Sequence, residues 1–315
     1  MLNGTSRQML RLLLGDPQAD PAELDWAEAR ELALAHGVIV RLADAVSACG
    51  EPLPARFQAA AAEACARAQR ALAIVDRLSA RCEAMGLAHA FLHTAEAYPD
   101  SGTVTLLVPA PAGRALDRSI LDDLPASARS RRNLGNRLAG SSTFSAEGGI
   151  HVRIRHGRLG RLGEHARYAR LLVDRAQPMR IGLSSCRAPA PEDHCLLLAI
   201  ERAYAREAPK LDDLAWTLPM LWAQSLNWDY LFATALSIGM LEGAGAFLAL
   251  ANDVHHQIFG RNVIDAAILS RFQGRSSHLR RFGAALEAGR WQSAARLSLR
   301  PIVAAVAGRR RTRSA

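Results

Sequence analysis

The chain has 315 residues, half of them hydrophobic and 22% charged, with a formal net charge of +9. This composition excludes an intrinsically disordered chain and supplies apolar surface for two packed lobes. Aromatic residues make up only 5% while alanine and leucine dominate, which favours helix and excludes an all-β fold.

The apolar run Met9, Leu10, Leu12, Leu13, Leu14, broken by Arg11, predicts a first helix within Met1 to Gly15 and lacks a cleavage site of small residues. No uninterrupted apolar stretch approaches the ~20 residues that span a bilayer, so neither secretion nor membrane insertion is expected and the cytoplasm is the default. Cys49, Cys65, Cys82, Cys186 and Cys195 are odd in number and have no CxxC spacing. They predict a reducing compartment, buried inert thiols and no zinc site.

Leu24 to Val38 predicts a helix with Asp25 as its N-cap and Gly37 as its stop. Leu226 to Met240 repeats that grammar, with a capping residue before Trp228 and a terminal Gly239; two ordinary capped helices explain the likeness. Pro54 opens the longest helical pattern, in which Phe57, Ala61, Ala64, Ala68, Leu72, Val75, Leu78 and Met85 keep a helical period until Gly86. The texture then changes. Ala88 to Leu92 and Thr103 to Val108 are short apolar or β-branched runs between turn residues, and they predict strands. Gly113 to Leu124 returns to helix. Ser127 to Gly148, rich in arginine, serine, glycine and asparagine, reads as loop. Gly149 to Arg155 alternates Ile150, Val152 and Ile154 with His151, Arg153 and Arg155, a strand with one basic face. From Pro191 onward the sequence reads as helical, and Gly308 to Ala315 has no core-forming pattern.

The positive charge is local. Between Ser127 and Arg170 stand Arg129, Arg131, Arg132, Arg137, Arg153, Arg155, Arg158, Arg161, Arg167 and Arg170 against Glu147 and Glu164, and the tail adds Arg309, Arg310, Arg311 and Arg313. Lys210 is the only lysine, so genome composition accounts for part of the arginine excess.

The stretch GLAHAFLHTAEAYPDSGTVTLLVPA from Gly86 to Ala110, followed by GIHVRIR from Gly149, resembles the uncharacterised nucleotidyltransferase family related to polymerase-β-like nucleotidyltransferases. The flanks agree in order and spacing: Asp25-Trp26 with His36-Gly37-Val38, Pro191-Glu192-Asp193, the acids Asp212 and Asp213, and Asn227-Trp228-Asp229, so the similarity runs over residues 20 to 260. It implies an α+β fold in which a small mixed sheet of nucleotidyltransferase type is surrounded by N-terminal and C-terminal helices. The boundaries it suggests are 1–85 helical, 86–185 nucleotidyltransferase-like, 186–307 helical and 308–315 a disordered basic tail.

The chemistry departs from the family. Nucleotidyl transfer uses divalent ions gripped by carboxylates, which the family supplies in an Asp-x-Asp whose alternation aims both acids at the same metals. Thr103 and Thr105 stand there in this chain, His93-Thr94 replaces the family's Lys-Gly, and Gly149 replaces its third acid. Glu96, Asp100 and Glu147 are the nearest acids and lack the alternating spacing; Asp122 and Asp123, adjacent on a helix, diverge by about 100°.

Three readings stay open. The first is a pseudoenzyme that binds a nucleotide, peptide or acidic protein partner in a pocket lined by His93, Thr94, Thr103, Thr105, His151 and Arg153, with no cofactor expected. A solvated, charge-protected edge strand is the plainer account of the His151 to Arg155 face. The second is an active transferase with a displaced site, which would need magnesium and a nucleoside triphosphate. The third is a nucleic-acid contact through Arg129, Arg131, Arg132, Arg137, Arg155 and Arg158, for which only Phe144 and Tyr168 offer stacking surface. His255-His256 and His194 lack a third ligand at metal spacing, and no GxGxxG, Walker, GxSxG or HExxH pattern occurs.

Overall fold

The Asp25 carboxylate accepts the amides of Ala27 and Glu28 at 3.0 and 3.2 Å, and Gly37 ends the helix between them at φ +67°, a left-handed conformation that glycine adopts without strain. This helix, Trp26–His36, is α2. The computed structural model describes residues 3–92, 102–110, 113, 115–117, 119, 140–160, 163, 165–181, 184–203, 209–223 and 226–272. Helix α1, Gly4–Leu13, buries Met9, Leu10 and Leu12. Helix α3, Ile39–Ala48, buries Ile39, Val40, Leu42 and Val46. Trp26 meets Phe57 edge to face, with ring centroids 5.2 Å apart, and so ties α2 to the first turn of α4, Ala55–Ala84.

Helix α4 follows from the period read in the sequence. Its 30 residues extend about 45 Å at 1.5 Å per residue, and Phe57, Ala61, Ala64, Ala68, Val75 and Leu78 lie buried along one side. Gly86, at φ +63°, turns the chain out of the helix, and the Leu87 amide donates back to the Cys82 carbonyl at 2.8 Å. The strands β1 (Ala90–Leu92), β2 (Thr103–Val108), β3 (Ser141–Ser145) and β4 (His151–His156) form a mixed sheet in the order β1-β2-β4-β3. β1 is antiparallel to β2, β2 parallel to β4, and β3 antiparallel to β4. One face carries Phe91, Val104, Leu106, Val108, Phe144, Val152 and Ile154, which join Ala71, Ile74, Val75, Leu78 and Cys82 of α4 in one core. Each such large side chain contributes about 1.5–3 kcal/mol on burial. Burial pushes the Cys82 thiol up to about 12, and neighbouring Glu83 adds to the shift, so this cysteine is an inert core residue.

Two expectations for this region are corrected. Residues 141–145, read as part of a long loop, form β3: Phe144 is buried at 1% exposure and Ser142 donates to the buried Asp117 at 2.6 Å. Serine and threonine mark turns when exposed, but here they alternate with an inward phenylalanine and pair along β4. β4 is an interior strand between β2 and β3, so the edge-strand account of its charges does not hold.

Beyond the sheet, α5 (Ala166–Arg175) leads into a hairpin that the sequence reading did not anticipate, β5 (Gln177–Ile181) with β6 (Ser184–Ala188). Ile181 and Cys186 join the α4 core, and Ser184 donates to Asp76 of α4 at 2.8 Å. Pro191-Glu192-Asp193 opens α6, Pro191–Leu198. Asp193, fully buried, accepts Arg175 Nε at 2.9 Å and the Tyr168 hydroxyl at 3.1 Å, while Glu192 accepts the Arg175 guanidinium at 3.3 Å.

Gly4–Asp193 forms one compact unit, and the chain from His194 belongs to a second. Every described element of the second is helical: the end of α6, a π-helical turn Ala199–Ala203, α7 (Leu211–Trp222), α8 (Trp228–Ser237), α9 (Leu241–Phe259) and α10 (Ala266–Phe272). Asp213 anchors the start of α7, accepting the Lys210 amide at 2.7 Å and both Arg202 donors at 2.9 and 3.2 Å. The capped helix read at Asn227 is α8, whose cap accepts the Tyr230 amide at 2.9 Å. The protein is α+β and predominantly helical, and no described helix is long and apolar enough to cross a membrane.

The β3 assignment makes a quantitative expectation. Phe144→Ala removes a ring packed between β3 and α4 and should cost about 3–5 kcal/mol in denaturant unfolding; a cost within 1 kcal/mol of wild type, roughly the level of a surface substitution, would contradict the pairing.

Candidate functional site

Because side chains alternate across a strand, the residues between those that face α4 on β2 and β4 share the opposite face. The parallel register sets Thr103 beside His151 and Thr105 beside Arg153, on strands about 4.8 Å apart. β3 extends the row, with Ser145 opposite His151, Thr143 opposite Arg153 and Ser141 opposite Arg155. Thr105 is buried at 3% exposure and Thr103 is half-buried, while His151 and Arg153 are exposed. The face is therefore a floor of hydroxyls with an imidazole and a guanidinium beside it. Among its described residues there is no carboxylate.

Thr103, Thr105, His151 and Arg153 are thus brought together as neighbours. β1 ends at Leu92, opposite Thr105, and His93 and Thr94 lie outside the described residues. Of the expected basic patch, Arg129, Arg131, Arg132 and Arg137 also lie outside them. Arg155 is 8% exposed and donates to the Gly160 carbonyl at 3.3 Å. It holds the turn after β4 and does not present a cation to solvent, which corrects its place in the patch. Arg158 is exposed in that turn, its side chain lying against Gly140.

Three groups of polar residues escaped the sequence reading. Asp117, 4% exposed, accepts Ser142 at 2.6 Å and His156 at 3.2 Å. The carboxylate stands between the hydroxyl and the imidazole, so it ties β3 to β4 and does not line up a nucleophile with a base. Arg67 and Arg70 of α4 lie against Gly102 and Gly148 at the amino-terminal ends of β2 and β4; being i and i+3 they share one side of the helix, the only trace of them in the sequence. At the other end of the sheet, Glu83, His89, Asp174 and Arg187 line an open cleft of about 490 Å³.

Of the histidines that the sequence reading set aside as metal ligands, His194 and His255 have contacts within the protein. His194 stacks on Trp216, with centroids 3.7 Å apart. His255 donates through Nδ1 to the Arg261 carbonyl at 2.6 Å and accepts the Trp222 indole N–H on Nε2, an arrangement that needs the neutral ring. Burial holds His255 below the ordinary histidine value, as it does His89, whose Nδ1 donates to the Leu87 carbonyl at 3.0 Å.

A depressed imidazole contributes stability that is complete above its unfolded value of about 6.5 and is lost as pH falls below that value and through the folded one. The melting temperature should therefore fall between pH 8 and pH 5, and the fall should be smaller in His255→Gln; an unchanged slope in thermal melts of that variant would contradict the neutral, doubly bonded ring.

Compared with known proteins, the chain matches no family model and no curated protein.

Proposed function

We propose that this chain is a degenerate member of the nucleotidyltransferase family it resembles, and that it binds a nucleotide on the hydroxyl and cation face of β2 and β4 without turning it over. The observation that carries the reading is the register: Thr103 beside His151 and Thr105 beside Arg153 on parallel neighbouring strands. In the family resemblance Thr103 and Thr105 stand where two metal-binding acids would, and Gly149, just ahead of β4, stands where a third would.

This donor set does not suit a divalent ion. Magnesium sites of this kind are anchored by one or two carboxylates that complete a near-octahedral shell with waters and phosphate oxygens, and a threonine hydroxyl brings no negative charge to anchor it. Without that grip the charge developing on a transferred phosphoryl group has no metal to receive it. A bound phosphate is another matter, since the Arg153 guanidinium neutralises it directly through charge-assisted hydrogen bonds, and an imidazole N–H and the threonine hydroxyls can donate beside it. Free cysteines throughout accord with work in a reducing compartment, and we assign the protein to the cytoplasm on that ground.

Calorimetric titration of the full chain with ATP, CTP, GTP and UTP, in magnesium and in EDTA, tests the reading. Affinity should be unchanged by EDTA, and Arg153→Ala should weaken it about tenfold, the scale of a lost hydrogen bond to a charged group. Binding that requires magnesium, or magnesium-dependent release of pyrophosphate, would replace this reading with an active transferase.

A further inference from the structure

The described residues end at Phe272, the last residue of α10, and that end lies against α8. Phe272 meets Phe232 of α8 edge to face, with ring centroids 5.6 Å apart. Arg271 lies over the same ring at 4.8 Å from its centroid and donates to Asp229 at 2.7 Å. Phe232 is the middle of a row, Trp228, Phe232 and Leu236, whose i, i+4 and i+8 spacing sets it along one side of α8. Trp228 and Phe232 are half-buried, and Leu236 is 58% exposed, more than any other large hydrophobic side chain among the described residues. The helix buries Leu231, Thr234 and Ala235 on the neighbouring side, so its packing within the described unit accounts for those residues and not for Leu236. A single exposed leucine is ordinary. This one extends a row of two aromatic rings, and the chain leaves α10 beside that row.

The sequence that leaves there carries a matching pattern. Gln273 to His278 is six residues of glutamine, glycine, arginine, serine and histidine, within the roughly 2–8 residues that connect packed helices. Leu279, Phe282 and Leu286 then recur at i, i+3 and i+7, with Arg280, Arg281, Ala284 and Glu287 on the opposite side, and Gly289 supplies a stop. At 1.5 Å of rise per residue the row on α8 runs about 12 Å and the row from Leu279 to Leu286 about 10 Å, so the two are matched in length. The ten residues Leu279 to Ala288 are too few for a stable helix in water and need a surface to cover their apolar side. A short tether holds them beside α8 at an effective concentration on the order of millimolar, which favours this occupant over a second copy of the chain. We propose that Leu279 to Ala288 docks as an amphipathic helix on the Trp228, Phe232 and Leu236 side of α8 and completes the second unit. The proposal concerns that unit alone and does not rest on the nucleotide reading.

Hydrogen exchange of the full chain, read by mass spectrometry on peptides covering 279–288 and α9, tests the docking. In wild type the amides of 279–288 should exchange about tenfold or more slower than in a free peptide of the same sequence. Leu236→Asp, which sets a carboxylate under the docked side, should remove that protection, and Leu236→Ala should remove part of it. Leu34→Asp, at an exposed leucine of the first unit, should leave it unchanged. The α9 amides report whether the second unit is folded; if Leu236→Asp exposes them as well, Leu236→Ala decides, because it only truncates an exposed side chain. Exchange of 279–288 at the free-peptide rate in wild type overturns the docking, and so does protection that survives both substitutions. Protection that appears only as protein concentration rises, together with a dimer in light scattering, assigns the row to a second copy and overturns it too.

Discussion

The parallel pairing of β2 with β4 is the constraint on which the rest of this molecule depends. A parallel pair cannot close through a tight turn, so the chain must travel from Val108 to Ser141 and back through β3 before β4 can be laid down. Once β4 lies between β2 and β3, every second residue of three strands is committed to the α4 core: Val104 and Leu106, Val152 and Ile154, and Phe144. A slip of one residue would turn Thr103, Thr105, His151 and Arg153 into that core and the aliphatic residues out of it. The apolar face fixes the register, and the register fixes which polar groups stand side by side.

Periodic features with local chemical stops were legible in the sequence. The long α4 announced itself through its apolar positions and Gly86, α2 and α8 through Asp25 and Asn227, and β4 through strict alternation. Features decided by contacts distant in sequence were not. β3 is made of serine, threonine and one phenylalanine, residues that read as loop until β4 and Asp117 are present to pair with them. Arg155 alternates correctly with His151 and Arg153, yet it is turned inward by the Gly160 carbonyl, which no strand pattern encodes. The hairpin of β5 and β6 is similar: Gln177 and Pro178 are exposed, and it is Ile181 and Cys186 reaching the α4 core that hold it in place. Within the candidate site, Thr103, Thr105, His151 and Arg153 follow from alternation alone, whereas Arg67 and Arg70 do not. The polar side of a helix carries no mark of the neighbour it meets, and only the glycines at 102 and 148 hint that something must fit there.

The charges of the first unit sort by exposure into different jobs. Asp193 with Arg175, and Asp117 with Ser142 and His156, are buried acids with short partners that hold elements together. Arg153 and Arg70 keep their charged ends at the surface, and His151 is exposed beside Arg153, where a ligand can reach them and salt can screen the charges. Because Lys210 is the only lysine, the presence of arginine at these positions is weak testimony to selection for its planar donors.

A crystal structure of the chain grown with ATP and manganese, with anomalous data collected at the manganese edge, tests the central claim most directly. The account predicts phosphate density against His151 and Arg153, with no anomalous peak beside Thr103 and Thr105. Manganese held at those threonines, or a nucleotide seated away from the β2 and β4 strand ends, would contradict it.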